Sequence, residues 1–548
     1  MPGVIRMVVI KRALLSCSDK THLESFAGTL STLGIELVAS GGTAGFLIQR
    51  GLSVTTVEDF AGMDEQLDGR VKTLHPKIYA GILARRDDPT HVQSVGSQGL
   101  IDLVVVNLYP FCDVSGRART SLEEAIEQID IGGVALLRAA AKNFVHVAVV
   151  CQVQQYGMVA AALQKANGRL SDSLSRQLAI EAFRLTSQYD QAIAEYLSLQ
   201  RERESKAAEP LSISPTPVAC PDLFSLNLRK RQTLRYGENP HQKGAWYLSD
   251  SDFVWGLATL TQLQGKELSY NNLLDIDGTF RCLLEFTECT CVIVKHHTPC
   301  GVASGASLSQ AFQKAYDADA ESAFGGIVGF NRPVDGALAE QLSSRFFEVI
   351  VAPTVESEAL ERFLKKPNLR VVTLEWPTSI PSSWQWRQLS GSWLLQDRDK
   401  TEESADSFRV ATQRQPSQQE RMELLFAWKI AKCAKSNSVV IARHLSTLGI
   451  GQGQPSRVGA VRVAIEHAKR CIGDSIHQAA KSADEGSCDP VAASDGFFPF
   501  PDGVELLAKA GVKAIIQPGG SIRDQQVIES ADRAHIAMVF TGTRHFRH

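Results

Sequence analysis

Three features of this chain predict an α/β fold built on parallel sheets covered on both faces. Short apolar runs alternate with segments of helical period over the first 200 residues. The runs are continuous rather than alternating, as strands buried on both faces require. Polar or glycine-rich turns follow several of them, where open parallel sheets place their ligands.

The chain has 548 residues, more than one core usually serves, so roughly two to four domains are expected. At 44% hydrophobic and 21% charged residues it has the balance of a globular protein. A net charge of −3 argues against a broad nucleic-acid surface. Its 11 cysteines are odd in number and irregularly spaced, which suits reduced thiols better than a disulfide framework. Cys289 and Cys291 stand too close for a zinc knuckle. The start of the chain lacks a continuous signal-peptide core, and no apolar run is long enough to span a bilayer. A cytoplasmic protein without membrane contact is expected.

The elements run in order along the chain. "ALLSCS" (13–18) is a strand, and "THLESFAGTLSTLG" (21–34) a helix with Leu23, Phe26, Leu30 and Leu33 on one face. "IELVAS" (35–40) is a second strand, followed by Gly41-Gly42-Thr43 and a short helix. "IDLVVVNLYPF" (101–111) is a buried strand ending at Pro110, "SLEEAIEQI" (121–129) a helix and "HVAVVC" (146–151) a further strand. Residues 201–221 turn charged, then Ser- and Pro-rich, and read as a linker between a domain at 1–200 and a block at 222–548. That block again mixes strands ("CVIVK", "SNSVVIA", "VKAIIQP") with helices and is long enough for two subdomains, although no clean repeat is visible.

In the first domain, Ser18 and Lys20 follow one strand, while Ser40, Gly42 and Thr43 follow the next. Both turns lead into helices whose free N–H groups suit a phosphate. Ordinary βα-turn chemistry uses the same residues. The cationic loop "GRVKTLHPK" (69–77) tilts the reading towards a phosphorylated ligand. In "IDIGGVALLRAAAKN" (129–143), Asp130 precedes a Gly-Gly step and Lys142 lies near the far end of a short helix. A straight helix would part them by ~18 Å, so they share a site only if the helix is shorter or the chain folds back.

In the second block, "CVIVKHHTPCGVASG" (291–305) delivers Lys295 and His296 at a strand end. A zinc deaminase needs a glutamate two residues after its histidine and a second cysteine three after the first. Thr298 and Ala303 stand at those positions, so the zinc reading fails on residues.

The motifs "SDKT", "SGGTA", "GRVKTLHPK", "NLYPF" and "IDIGG…LLRAAAKN", in that order, resemble the IMP cyclohydrolase half of a bifunctional purine-biosynthesis family. "RYGENPH", "KHHTPCGVASG", "SAFGGI", "KSNSVV", "GQGQPSR", "SDGFFPFPDG" and "TGTRHFRH" resemble its other half, 5-aminoimidazole-4-carboxamide ribonucleotide (AICAR) transformylase, in the bacterial form. The resemblance implies a methylglyoxal synthase-like first domain and two cytidine deaminase-like α/β subdomains after the linker. It implies formyl transfer from 10-formyltetrahydrofolate to AICAR, then dehydrative closure of the formylated product to IMP, with folate as co-substrate, no catalytic metal and a homodimer.

Carried over by motif, His296 is the base and Lys295 its acid or electrostatic partner. Arg235, Tyr236, Asn239, Gly325, Asn437, Arg457, Phe497 and Arg544 hold substrate, Asp502 is a folate-side carboxylate, and Glu348 stands where some relatives have aspartate. His297 matches a variable position. For ring closure the resemblance assigns Lys72, Tyr109, Asp130 and Lys142, with Ser18, Lys20, Ser40, Gly42 and Thr43 on the phosphate. The competing expectation is a single-activity transformylase with a non-catalytic phosphate-binding first domain.

Overall fold

The computed structural model describes residues 7–67, 69–109, 111, 121–207, 220, 224, 226–249, 255–378, 384–472 and 489–548. The chain divides into two compact units, Met1–Pro215 and Thr216–His548.

In the first unit the apolar runs become β1 (Arg12–Cys17), β2 (Glu36–Ala39), β3 (Thr55–Thr56), β4 (Leu103–Asn107) and β5 (Ala148–Val150). They form an all-parallel sheet in the order β3-β2-β1-β4-β5. Leu14, Leu15, Val38, Val104 and Val105 are fully buried in it, as continuous apolar strands require. Its helices include α1 (Leu23–Thr32), α2 (Gly41–Ile48), α3 (Pro76–Leu83) and α4 (Leu122–Glu127). Helix α1 buries Leu23, Phe26 and Leu30, whereas Leu33 caps its end and is only half-buried. Helix α5 (Gly132–Lys142) packs Leu136, Leu137 and Ala140 into the core. Helix α6 (Asp172–Ala207) runs into the stretch read as linker, because "RERESKA" is made of good helix formers. The rest of that stretch up to 219 lies outside the described residues, as does Pro110.

The second unit opens with a hairpin, β6 (Leu228–Leu234) and β7 (Gly244–Ser249). A repeat comes next. Its first copy is β8 (Thr261–Gln264), α7 (Tyr270–Leu283), β9 (Thr290–Lys295), β10 (Thr298–Ser304), α8 (Leu308–Ala318), β11 (Ile327–Phe330), α9 (Gly336–Ser343), β12 (Val349–Ala352), α10 (Ser357–Phe363) and β13 (Arg370–Thr373). A ribbon, β14 (Trp384–Leu389) and β15 (Ser392–Asp397), separates it from the second copy. That copy is β16 (Arg409–Val410), α11 (Gln418–Cys433), β17 (Val439–Arg443), β18 (Ser446–Gly451), α12 (Arg457–Ile472), β19 (Val491–Ser494), α13 (Asp502–Lys509), β20 (Ala514–Gln517), α14 (Asp524–Arg533) and β21 (Ala537–Phe540).

Both copies join one 12-stranded sheet with the order β8-β13-β12-β11-β9-β10-β18-β17-β19-β20-β21-β16. The order is a palindrome about the antiparallel β10–β18 contact, where Ala303 faces Ser446. The physical devices repeat at one offset along the chain. Ser269 and Ser417 head α7 and α11 with capping boxes, each worth ~1 kcal/mol. Gly301 and Gly449 let β10 and β18 approach the backbones of α8 and α12 at Ala315 and Ala464, where no Cβ would fit. A palindromic sheet places equivalent strand ends on opposite edges. The end of β9, the starts of β11, β12 and β13, and the ends of β18, β19 and β21 therefore share one edge.

Candidate active sites

In the first unit the carboxyl ends of β1, β2 and β4 converge. Ser18 Oγ donates to Leu108 O at 2.8 Å and lies 3.0 Å from Asn107 Oδ1, tying β1 to β4. Thr43 Oγ1 accepts from Cys17 N and donates to Cys17 O, tying β1 to α2. Ser40 Oγ is 2.8 Å from Ser16 Oγ. Lys20 folds its ammonium back on Cys17 O and Ser18 O. These side chains shape the two turns, and the exposed Gly41 and Gly42 leave the N-terminus of α2 open, an arrangement that suits an anion. Lys72 Nζ reaches this end: a Cβ on Gly41 would lie 3.7 Å from it, and Glu65 pairs with it at 3.3 Å.

Asp130 joins the same edge. Its Oδ1 accepts the Gly133 N–H at 2.7 Å, and its own N–H donates to Tyr189 Oη. Burial lifts its pKa, against the backbone N–H groups of Gly133 and Tyr109. The Tyr109 ring is 53% exposed beside it, open to a ligand. The Gly-Gly step is required by approach: a Cβ on Gly132 would lie 2.7 Å from Thr73 Oγ1, and one on Gly133 would strike the Asp130 carboxylate. Lys142 is different. Helix α5 is unbroken from Gly132 and leads straight into β5, so Lys142 sits at the amino edge of the sheet. At 1.5 Å per residue the helix is ~16 Å long, so Asp130 and Lys142 do not meet within one chain. Tyr79 was missed by motif reading. Its hydroxyl is buried without a hydrogen-bond partner among the described residues, and burial and the Asp130 charge hold its proton on.

In the second unit Lys295 ends β9, and His296 and His297 form the two-residue turn to β10. Both have positive φ, 57° and 64°, as a type I′ hairpin demands. Histidine in that region costs roughly 1–2 kcal/mol per residue. Asp275 on α7 offsets part of this by accepting the His297 N–H at 2.6 Å. Lys295 Nζ donates to Phe324 O at 2.8 Å, which sets it against Gly325 at the start of β11. The pair opens on a pocket of about 140 Å³ lined by Thr298, Asp319, Gln452 and His467. Cys300 stands in its wall, its thiol pushed up to about 12 by burial, which keeps it protonated at neutral pH.

The other residues lie along the same edge. Arg457 bonds Asn437 Oδ1 at 2.7 Å and pairs with the buried Asp495 beyond β19. Phe497 is exposed next to this group, and Arg544 stacks on Phe546 at 4.5 Å. Asp502 opens α13, with its carboxylate on the Gly503 N–H. Glu348 precedes β12 and accepts from Asn272 at 3.0 Å, with Arg370 at 3.9 Å. Arg235 bonds Tyr236 Oη, and its charge reaches Arg370. Asn239 is held by Gln242, and the neighbouring Glu238 O accepts from Asn271 on α7. Asp275, Gln452 and Asp495 were not found from sequence, since each acts on a partner distant along the chain.

Two α/β units, one with a helix N-terminus near a lysine and a half-buried carboxylate, one with a strained Lys-His tip on an edge that also carries arginines, have the make-up of an enzyme that handles anionic substrates. The MGS-like domain model matches residues 22–135, and that of the AICARFT/IMPCHase bienzyme residues 140–467. The bifunctional purine biosynthesis protein PurH of Cyanothece sp. is 47% identical over 540 residues, 98% of this chain and 99% of its own. The chain described as the crystal structure of ForH is 34% identical, covering 34% of this chain and 99% of its own, with a TM-score of 0.31. This chain belongs to the AICARFT/IMPCHase bienzyme family. Among the described residues, no helix is long and apolar enough to cross a membrane.

Proposed function

We propose that the chain carries out formyl transfer from 10-formyltetrahydrofolate to AICAR in its second unit and closes the product to IMP in its first. The observation that carries this is the Lys295–His296 tip over a pocket, with His296 held at positive φ. The AICAR amine is conjugated and weakly nucleophilic. As its nitrogen attacks the formyl carbon, the exposed His296 imidazole takes its proton. Lys295 spends one N–H on Phe324 O and keeps two donors for the formyl oxygen or the departing folate nitrogen. Arg457, Asn437 and Arg544 suit the nucleotide's anionic end, with Arg235, Tyr236, Asn239 and Phe497 around it. Gly325, Glu348 and Asp502 suit the folate side. No step calls for a metal.

Ring closure proceeds by attack of the carboxamide nitrogen on the new formyl carbon, with an oxyanion and then loss of water. Lys72 and Tyr109 supply donors for the oxyanion, and Asp130, its pKa lifted by burial, is suited to move the proton. Ser18, Lys20, Ser40, Gly42 and Thr43 frame the phosphate turn. The edge-to-edge separation favours a reading in which Lys142 serves this step from a second copy of the chain in a homodimer. Mixing Lys142→Ala with Asp130→Asn chains then restores cyclisation that neither has alone. A cytoplasmic location fits the same reading.

The test tracks tetrahydrofolate and IMP separately in one incubation with AICAR and 10-formyltetrahydrofolate, without added metal. Both products are expected. Accumulation of the formylated intermediate would leave the first unit as a phosphate-binding module only.

A further inference from the structure

The last residues of the chain are held by a buried charge. His545 is 2% exposed. Its Nδ1 lies 2.5 Å from Asp399 Oδ2 and its Nε2 2.8 Å from Glu403 Oε1. A neutral imidazole has one N–H and would turn a lone pair towards the second carboxylate. With both carboxylates ionised, only the imidazolium satisfies both. Burial opposes that charge, but the bonds to Asp399 and Glu403 outweigh it and lift the pKa to about 9. The Trp428 ring packs against the imidazole at 5.1 Å, and Lys432, bonded to Glu285 and Thr401 O, completes the charged surroundings.

The neighbours of His545 face the formyl-transfer edge. The His545 N–H donates to Asp495 O at 3.1 Å, next to the Arg457 pair. Phe546 and Arg457 close on Gly496 so tightly that a Cβ there would lie 2.7 and 2.6 Å from them. Ser436 N donates to Arg547 O at 2.8 Å, beside Asn437. Arg547 Nη2 lies 3.3 Å from His297 Nε2, which accepts because arginine cannot.

We propose that His545 is a positioning residue for formyl transfer: clamped between Asp399 and Glu403, it holds residues 544–548 so that Arg544, Phe546 and Arg547 meet the Arg457–Asp495 pair and the His297 turn. The inference rests on reading this edge as the formyl-transfer site and adds a part that no motif assigned.

The test is His545→Phe in the full chain, which keeps the packing on Trp428 and removes both donors. The expected result is a KM for AICAR raised about tenfold or more, with kcat and KM of ring closure unchanged. The gap from the parent should narrow as pH rises through 9, where the parent loses the same charge. An unchanged AICAR KM, or a parallel fall of both activities, would overturn the proposal. The pair Asp399→Asn with Glu403→Gln keeps it testable if His545→Phe does not fold: the same KM rise supports the clamp and an unmoved KM sinks it. His296→Gln run alongside separates the two levels, because formyl transfer that survives it removes the site reading itself.

Discussion

The two hairpin tips of the second unit share one frame and differ in chemistry. Lys295-His296-His297 and Arg443-His444-Leu445 stand at matching places in the repeat, all four turn residues have positive φ, and a carboxylate on the preceding helix takes the second turn N–H in each. Asp275 does this in the first copy and Glu423 in the second. The palindromic sheet sends the tips to opposite edges. The first meets Gln452 and, through Arg547, the chain end. The second meets Lys314, whose Nζ donates to His444 O at 3.1 Å, and burial, Arg443 and Lys314 hold the pKa of His444 down. A strained tip therefore does not make a site by itself. What it faces does.

The largest effect should separate the tips by activity. His296→Gln is expected to lower formyl transfer by about 10²–10⁴-fold, and His444→Gln to leave it within about twofold. Comparable losses at both would end the asymmetry.

A pH series tests the edge that only the first tip shares with the chain end. The pKa of His545 is raised to about 9 on folding, so its contribution is full below 6.5 and is lost as pH rises through 9. The loss should reach about 3 kcal/mol by urea denaturation, and His545→Phe should remove most of that slope.

The matched carboxylates come next. Asp275→Ala and Glu423→Ala each orphan a turn N–H, at roughly 1–3 kcal/mol, but only Asp275→Ala should also reduce formyl transfer. Equal stability losses with equal activity would show that the first tip needs no such support.

The smallest effect comes from relieving the turn. His444→Asn should gain about 0.5 kcal/mol, because asparagine tolerates positive φ. The same change at His296 should gain a similar amount while losing formyl transfer. A stability loss at either would mean that the histidine is held by contacts beyond the turn.

Much of this was legible in the chain. The strands of the first unit and the buried face of α1 come from apolar runs and helical period, and the Lys-His pair and the glycine turns stand where strands end. The repeat was not legible, because its common features are scattered single residues: a serine cap, a helix carboxylate, one glycine against a helix. "KHHTPCG" and "RHLSTLG" share few letters, although they make the same turn. Asp275 and His545 stayed hidden for the same reason, since each finds its partner through space.

The sequence alone determined the α/β class, the family and the motifs that carry the chemistry, because periodicity, turn residues and ordered motifs are local properties. Tertiary structure decided which residues share an edge. It put Lys142 across the sheet from Asp130, because an unbroken helix spans the sheet from edge to edge. It set His296 beside Gln452 and the chain end, because the antiparallel β10–β18 contact brings the end of β18 alongside the end of β9. Edge and distance belong to strand order, and strand order is set by pairing between segments far apart in the chain.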